Sequence, residues 1–263
     1  MTTKNLVLVV DCGNSNIKFG IFNGDANMHT NFRISTDYSK TADEYFVLIK
    51  SLLVNFNIEI EAIGGAIISS VVPPVLPMLE RAVGKIIGKR PLGVYPGIKT
   101  GIGIQTENPK EVGSDLICLA VGATDRHQVP AIIVSFGTAT AFVAVSSKNE
   151  IVGASIAPGL LSATESLSLK TAKLPEIKLA KPKTSLGRNT IESMRSGIVF
   201  GFAGLVDRVV DEMTKEMGET PVIIGTGGLL SIMSTVPNCI QKYDPFLSLF
   251  GLKALYDKNM ADR

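Results

Sequence analysis

The chain runs twice through the same local plan, and that repetition constrains its fold more than any single motif. Val9-Val10-Asp11-Cys12-Gly13-Asn14-Ser15-Asn16-Ile17-Lys18-Phe19-Gly20 ends a β-branched run in a carboxylate, turns on small polar residues and resumes as a strand. Ile133-Val134-Ser135-Phe136-Gly137-Thr138-Ala139-Thr140-Ala141-Phe142 repeats the sequence of events. Two glycine-tipped hairpins in two halves read as a duplicated unit whose turns face each other across a cleft. Glycine permits close backbone approach and positive φ, so such turns offer several N–H groups to an anion. Phosphate is the natural guest.

Length and charge narrow the class further. At 263 residues the chain exceeds the usual single core, so two domains are expected. Apolar residues make up 45% and charged residues 19%, which suits a chain folded throughout. A net charge of +2 leaves no electrostatic footprint for nucleic acid or an anionic membrane, so neither is expected as a partner. Leu6–Val10 is too short for a signal-peptide core. The apolar run at 198–206 falls far below the ~20 residues that span a bilayer. A cytoplasmic protein is expected. Cys12, Cys118 and Cys239 are scattered and odd in number, which indicates neither a disulfide framework nor a zinc site. His29 and His127 are the only histidines, leaving few candidates for His-based metal or Ser-His chemistry.

The pattern then alternates strands and helices. Leu6–Val10 and Ile17–Phe22 read as a hairpin, with Asn31–Ile34 as a third strand. Tyr45, Phe46, Ile49, Leu52 and Leu53 give Ala42–Asn55 the spacing of an amphipathic helix. A buried strand is expected at Ala62–Ser69, then Pro73-Pro74 and a helix to about Ile87. The second half opens near Val112 with a helix through Asp125. It continues as a hairpin over Ala131–Val145, strands at Ile151–Ile156 and Val222–Ile224, and a closing helix near Leu247–Asp257. Mixed sheets covered by helices follow as the architecture.

Four segments could carry chemistry, and each has a structural reading beside the functional one. Asp11 at a strand end suits a Mg²⁺ ion and its phosphate; an aspartate capping its own turn looks the same. Lys18 either reaches phosphate or is a solvated strand lysine. Gly137-Thr138 with Thr140 is either an anion turn or an ordinary hairpin. Gly225-Thr226-Gly227-Gly228 permits flat contact with a base or ribose, or is a tight strand-to-helix turn. The fourth segment, Asn108-Pro109-Lys110-Glu111-Val112-Gly113-Ser114-Asp115, brings Asp115 to the start of a helix. The dipole there favours the ionised carboxylate that a general base for a hydroxyl needs, although a first-turn aspartate needs no function. Together the four form the set expected of a duplicated ATP-cleft protein.

These residues, in this order, carry a resemblance over nearly the whole chain. The sequence resembles the type III pantothenate kinases, members of the acetate and sugar kinase, Hsp70 and actin superfamily. Asp11-x-Gly13-Asn14 with Lys18-Phe19-Gly20 resembles the family's first phosphate motif. Tyr95-Pro96-Gly97, Thr100-Gly101 and Asn108-Pro109-x-Glu111-Val112-Gly113 with Asp115 resemble its pantothenate-side segment. Phe136-Gly137-Thr138-Ala139-Thr140 resembles the second phosphate motif, followed by Pro158-Gly159-Leu160 and Thr171-Ala172-x-Leu174-Pro175. Gly187-x-Asn189-Thr190-x-Glu192-Ser193-Met194-x-Ser196-Gly197 and Thr226-Gly227-Gly228 complete the order.

The resemblance implies an α/β fold of duplicated ribonuclease H-like domains of the actin-like ATPase superfamily, with an active-site cleft between them. We divide the chain at residues 1–112 and 113–263, with the last helix free to pack on the first domain. It further implies an ATP-dependent pantothenate kinase that makes 4'-phosphopantothenate, the first step of coenzyme A biosynthesis. Asp11 would position Mg²⁺, with Gly13, Asn14, Ser15, Lys18, Gly137, Thr138, Gly227 and Gly228 around the ATP. Asp115 would be the base. Tyr95, Gly113 and Thr171 match positions near pantothenate, in a pocket that the family completes across a homodimer interface. Gly197, Gly201 and Gly204 would permit close helix packing, and burial inside one subunit explains the series as well.

Two departures stand out. Leu116 replaces a family arginine expected to meet the substrate's polar groups, a loss worth about 1.5–3 kcal/mol unless Lys99, Lys110 or another cation substitutes. Ser135 replaces an aspartate associated with a monovalent cation, K⁺ or NH₄⁺; serine can ligate but brings no charge. Alternative readings are a kinase of another small hydroxyl substrate, or a catalytically degenerate paralogue that binds nucleotide or a protein partner in a regulatory role.

Overall fold

The computed structural model describes residues 5–24, 27–234 and 236–261. In chain order the strands and helices open with β1 (Leu6–Cys12), β2 (Asn16–Asn23), β3 (Asn27–Ser35), α1 (Ala42–Asn55), β4 (Ile63–Ser70) and α2 (Leu76–Ile87). There follow β5 (Leu92–Gly93), β6 (Gly103–Ile104), α3 (Ser114–Arg126), β7 (Ala131–Phe136), β8 (Ala139–Val145) and β9 (Glu150–Pro158). The chain closes with α4 (Leu160–Lys170), α5 (Thr190–Met217), β10 (Val222–Thr226), α6 (Leu230–Met233), β11 (Lys242–Tyr243) and α7 (Leu247–Met260).

Two compact units divide these elements, and they interleave in sequence. The first comprises Met1–Gly101, Asn108–Asp125 and Leu247–Arg263; the second comprises Ile102–Glu107 and Arg126–Phe246. This differs from the division expected between residues 112 and 113. Helix α3 belongs with the first sheet although it follows β6, a two-residue strand that pairs with β9 in the second unit.

The first unit is built on a five-stranded sheet in the order β3-β2-β1-β4-β5. β1, β2 and β3 are antiparallel neighbours, and β4 and β5 run parallel to β1. One face buries Leu8, Val10, Ile17, Phe19 and Ile21 under Tyr45, Ile49 and Leu53 of α1 and Leu79, Val83 and Ile86 of α2. α1 starts where a capping box allows it: Glu44 N–H donates to the Thr41 hydroxyl at 3.3 Å and Thr41 N–H donates to Glu44 Oε2 at 2.8 Å. α7 packs against β1, β2 and β4, with Phe250 edge-on to Phe22 at 5.3 Å between centroids.

The second unit repeats the plan. Its six-stranded sheet has the order β11-β10-β7-β8-β9-β6, so β9-β8-β7-β10-β11 matches β3-β2-β1-β4-β5 strand for strand. The pairing matches too: β7, β8 and β9 are antiparallel, with β10 and β11 parallel to β7. Ile132, Val134, Phe136 and Phe142 pack under Val199, Ala203, Val206 and Val210 of α5. Gly197, Gly201 and Gly204 lie exposed on α5, and a Cβ at any of them would meet nothing within 4 Å, so burial within the unit does not explain them. His127 serves the interior: its Nε2 lies 3.2 Å from Oδ2 of buried Asp244, which also accepts from Arg126 Nε at 2.7 Å. Among the described residues no helix is long and apolar enough to cross a membrane.

Candidate active site

In the first unit, register brings the charged residues together. Asp11 is the penultimate residue of β1 and stands opposite Lys18 of β2 and beside Ser69 of β4. Lys18 Nζ lies 3.4 Å from Asp11 Oδ2, and the Ser248 hydroxyl of α7 donates to the same oxygen at 2.7 Å. Beyond Asp11 the chain turns through Gly13, Asn14 and Ser15, closed by Gly13 N–H donating to the Asn16 carbonyl at 3.0 Å. Thr36, after β3, braces that turn: its hydroxyl donates to Gly13 O at 2.6 Å and its N–H to Ser15 O at 3.1 Å. The turn is therefore held from both sides while Asn14 and Ser15 stay exposed.

Asp115 enters from the first turn of α3. Gly113 makes room for it, since a Cβ there would collide with Asp115 Oδ1. The helix start is anchored by hydroxyls: Ser69 Oγ donates to Ser114 Oγ at 2.9 Å, and Ser114 Oγ donates to the Ser70 carbonyl at 3.1 Å. Burial pushes the Asp115 carboxyl above the ordinary aspartate range and the Asp11 charge adds to it; N–H groups of Leu116 and Asp115 and the Lys18 cation oppose the shift without cancelling it. This corrects the expectation that the helix N-terminus would favour the ionised form, because desolvation outweighs the dipole here. A carboxyl held up in this way accepts a proton more readily than an ordinary aspartate does. Behind it, burial drives the Cys118 thiol well above its usual value, so that sulfur is inert.

The remaining first-unit candidates lie apart from this cluster or make other bonds. Tyr95, just past β5, donates its hydroxyl to Glu80 Oε1 at 2.6 Å. Burial and that carboxylate push its phenol up to about 12. Leu116 is 8% exposed on α3. Lys110 is exposed in the 3-10 turn Pro109–Glu111, and the Lys99 backbone is tied to Asn259 of α7 in both directions.

In the second unit three segments converge on the second turn. Gly137 N–H donates to Ala139 O at 3.0 Å, closing a hairpin with Thr138 exposed at its tip. Gly227, at φ 103°, presses against Phe136, where a Cβ would stand 2.5 Å from its carbonyl oxygen; no side chain fits. Gly159 abuts the Gly137 and Thr138 carbonyls, and Ser162 Oγ donates to Thr138 O at 3.0 Å. Gly137, Thr138 and Gly227 thus belong to one surface, with exposed Gly228 next in the chain. Ser135 occupies the position equivalent to Asp11: it pairs with Thr226 of β10 as Asp11 pairs with Ser69 of β4. Thr171 does not join this surface. It caps the other end of α4, about 16 Å along an 11-residue helix, and its hydroxyl donates to Leu167 O at 2.7 Å.

Sequence reasoning missed Thr36, Ser69, Ser114 and Ser248. None carries a pattern of its own: register places Thr36 on the Gly13 turn and Ser69 beside Asp11, the bond from Ser69 gives Ser114 its part, and the return of α7 brings Ser248 to Asp11.

The metal question can be tested on the donor set. Among the described residues no group of three or more His, Cys, Asp or Glu could hold an ion by itself. A single carboxylate with one oxygen engaged suits Mg²⁺ that arrives on phosphates and keeps its waters, so Asp11 fits that cation. Ser135 offers a neutral hydroxyl, a weaker match for a dedicated monovalent site.

Known proteins share this architecture. Component A of the (R)-2-hydroxyglutaryl-CoA dehydratase of Acidaminococcus fermentans superposes with a TM-score of 0.57 at 13% identity, covering 98% of this chain and 99% of that one. A ROK family glucokinase of Streptomyces griseus, solved with glucose and AMPPNP, gives 0.55 at 12% identity, covering 97% and 99%. The duplicated fold of this chain is therefore one that these proteins share. A family model described as type III pantothenate kinase matches residues 7–212. The type III pantothenate kinase of Brevibacillus brevis is 44% identical over 256 residues, covering 97% of this chain and all of that protein. The chain belongs to the type III pantothenate kinase family.

Proposed function

We propose that this protein transfers the γ-phosphoryl group of ATP to the primary hydroxyl of pantothenate, opening coenzyme A biosynthesis. The observation that carries the residue-level reading is the meeting of Asp11, Lys18 and Asp115 in one unit, with Asp115 half-buried and its carboxyl raised. Asp115 takes the proton of the attacking hydroxyl. Asp11 holds Mg²⁺, which when bound neutralises phosphate charge, and Lys18 adds a second positive charge. Backbone donors of Gly13–Ser15 and of Gly137–Thr138 bind phosphate oxygens, and Gly227 and Gly228 accept the flat part of the nucleotide. Phosphoryl transfer needs positioning and charge neutralisation more than covalent help, so these groups suffice.

Tyr95, Gly113 and Thr171 serve pantothenate. Thr171 lies at the end of α4 away from the second turn, which supports its service to the partner's pocket in a homodimer. The exposed apolar side chains Leu167, Leu169, Ile191 and Phe200 of α4 and α5 support the same reading. We place the protein in the cytoplasm, where ATP is supplied, and give it no strong requirement for K⁺ or NH₄⁺. ADP release with MgATP, measured with pantothenate and with a panel of other small alcohols, tests the substrate. Turnover confined to pantothenate is expected; equal turnover on an unrelated alcohol, or none on pantothenate, contradicts it.

A further inference from the structure

The shorter of the two side-chain bonds to the Asp11 carboxylate comes from the far end of the chain. Ser248, the second residue of α7, donates Oγ–H to Asp11 Oδ2 at 2.7 Å and is 6% exposed. Lys18 reaches the same oxygen at 3.4 Å from a side chain about one-third exposed. Both bonds fall on Oδ2, so Oδ1 is the oxygen left to face a ligand. Aspartate χ2 is broad and roughly two-fold, so a carboxylate without such a pin swings. A buried hydroxyl bond holds one orientation.

The position of Ser248 is itself enforced. One turn further along α7, Gly251 sits against α3: a Cβ there would enter the Cys118 carbonyl and stand 2.9 Å from Gly122 N. On the other side, a Cβ on Gly122 would enter the Leu247 carbonyl. This reciprocal glycine crossing seats α7 on the helix that carries Ser114 and Asp115. The residues that fix α7 therefore fix Ser248 beside Asp11.

We propose that Ser248 is a positioning residue for phosphoryl transfer: its hydroxyl holds Asp11 Oδ2 so that Oδ1 is presented to the divalent cation carried by the nucleotide. The proposal rests on the assignment of Asp11 made above. Preorganising a metal-facing carboxylate through a buried partner lowers the cost of binding the metal–nucleotide complex while leaving the second substrate untouched.

The test is initial-rate kinetics on the full-length enzyme for wild type, Ser248→Ala, Ser248→Thr and Asp11→Asn, with MgATP and pantothenate varied separately. Ser248→Ala should raise half-saturating MgATP about tenfold, the scale of one lost hydrogen bond to a charged group, with pantothenate half-saturation within about twofold. Ser248→Thr, which keeps the hydroxyl, should recover most of the loss. If Asp11→Asn raises half-saturating MgATP while Ser248→Ala does not, Asp11 keeps its role and the proposal falls. If Asp11→Asn leaves MgATP half-saturation unchanged, the underlying assignment fails and the proposal with it. A loss spread equally over both substrates, with a lowered Tm, makes Ser248 merely structural and also overturns it. Should Ser248→Ala not fold, Ser248→Cys, close in volume and a weak donor, is read by the same criteria.

Discussion

Replacing Gly251 by alanine sets two physical effects against each other, and the structure decides the sign. Alanine is the better helix former by about 1 kcal/mol, so on propensity alone the variant would be more stable. The added Cβ, however, meets the backbone of α3: it overlaps the Cys118 carbonyl oxygen and stands 2.8 Å from the carbonyl carbon. Ordinary contacts need ~3.5–4.0 Å, so α7 must retreat by on the order of 1 Å. No flexible side chain can yield in its place. Overpacking of this kind costs about 3 kcal/mol at the upper end of its usual range, leaving a net loss of about 2 kcal/mol. For a chain of this size that lowers Tm by about 4–8 °C. The same retreat disturbs Ser248 and Asp115, and a 1 Å misplacement can cost about 10²-fold in rate. Thermal unfolding and pantothenate-dependent turnover measured on one preparation check both. Gly204→Ala is the contrast within one subunit: its Cβ meets nothing within 4 Å there, so a loss of Tm in that variant would report packing of α5 against the partner. A Gly251→Ala protein with Tm at or above wild type and unchanged turnover would refute the reasoning.

Further outcomes follow from the charges. Because Asp115 titrates above the ordinary aspartate range, kcat/KM should fall on acidification at a higher pH than for a free carboxylate. Asp11→Asn should move the residual acid limb to lower pH and Lys18→Met to higher pH, read from pH–rate profiles; limbs that do not move would remove the coupling. A folded-state pKa raised above the unfolded one contributes stability below the unfolded value and loses it as pH rises through the folded value. Asp115→Asn should therefore melt higher than wild type near neutral pH, with the gap closing below about pH 4. As for the monovalent cation, turnover in K⁺ and Na⁺ buffers should agree within about threefold, since Ser135 contributes no charge. Ser135→Asp should make K⁺ activation appear, whereas steep K⁺ activation of the wild type would contradict the reading.

Much of the fold could be read before the structure because its signals are local. The hairpins at Leu6–Asn23 and Ala131–Val145 announce themselves through β-branched runs broken by glycine, and the spacing of Tyr45, Phe46, Ile49, Leu52 and Leu53 announces α1. The division into units was not legible. It turns on β6, two residues long and without a pattern, which takes residues 102–107 into the second unit ahead of α3; for α7 the sequence leaves packing on the first domain open. The site divides the same way. Asp11, Lys18 and Asp115 each carry charge two residues from a glycine and stand out, whereas Ser69, Ser114 and Ser248 acquire a role only through register and helix crossing. At Asp115 the helix dipole points to a lowered carboxyl and the structure gives a raised one, since the electrostatics of a half-buried carboxyl beside Asp11 depend on neighbours far away in sequence.

The central claim is that Asp115 accepts the hydroxyl proton during transfer to pantothenate. The direct measurement is single-turnover transfer from γ-labelled ATP to pantothenate by wild type and Asp115→Asn, with nucleotide and pantothenate binding measured on the same samples. The account predicts intact binding and a transfer rate lowered about 10²–10⁴-fold in the variant, the usual worth of a positioned general base. Transfer at the wild-type rate with both substrates bound would contradict it.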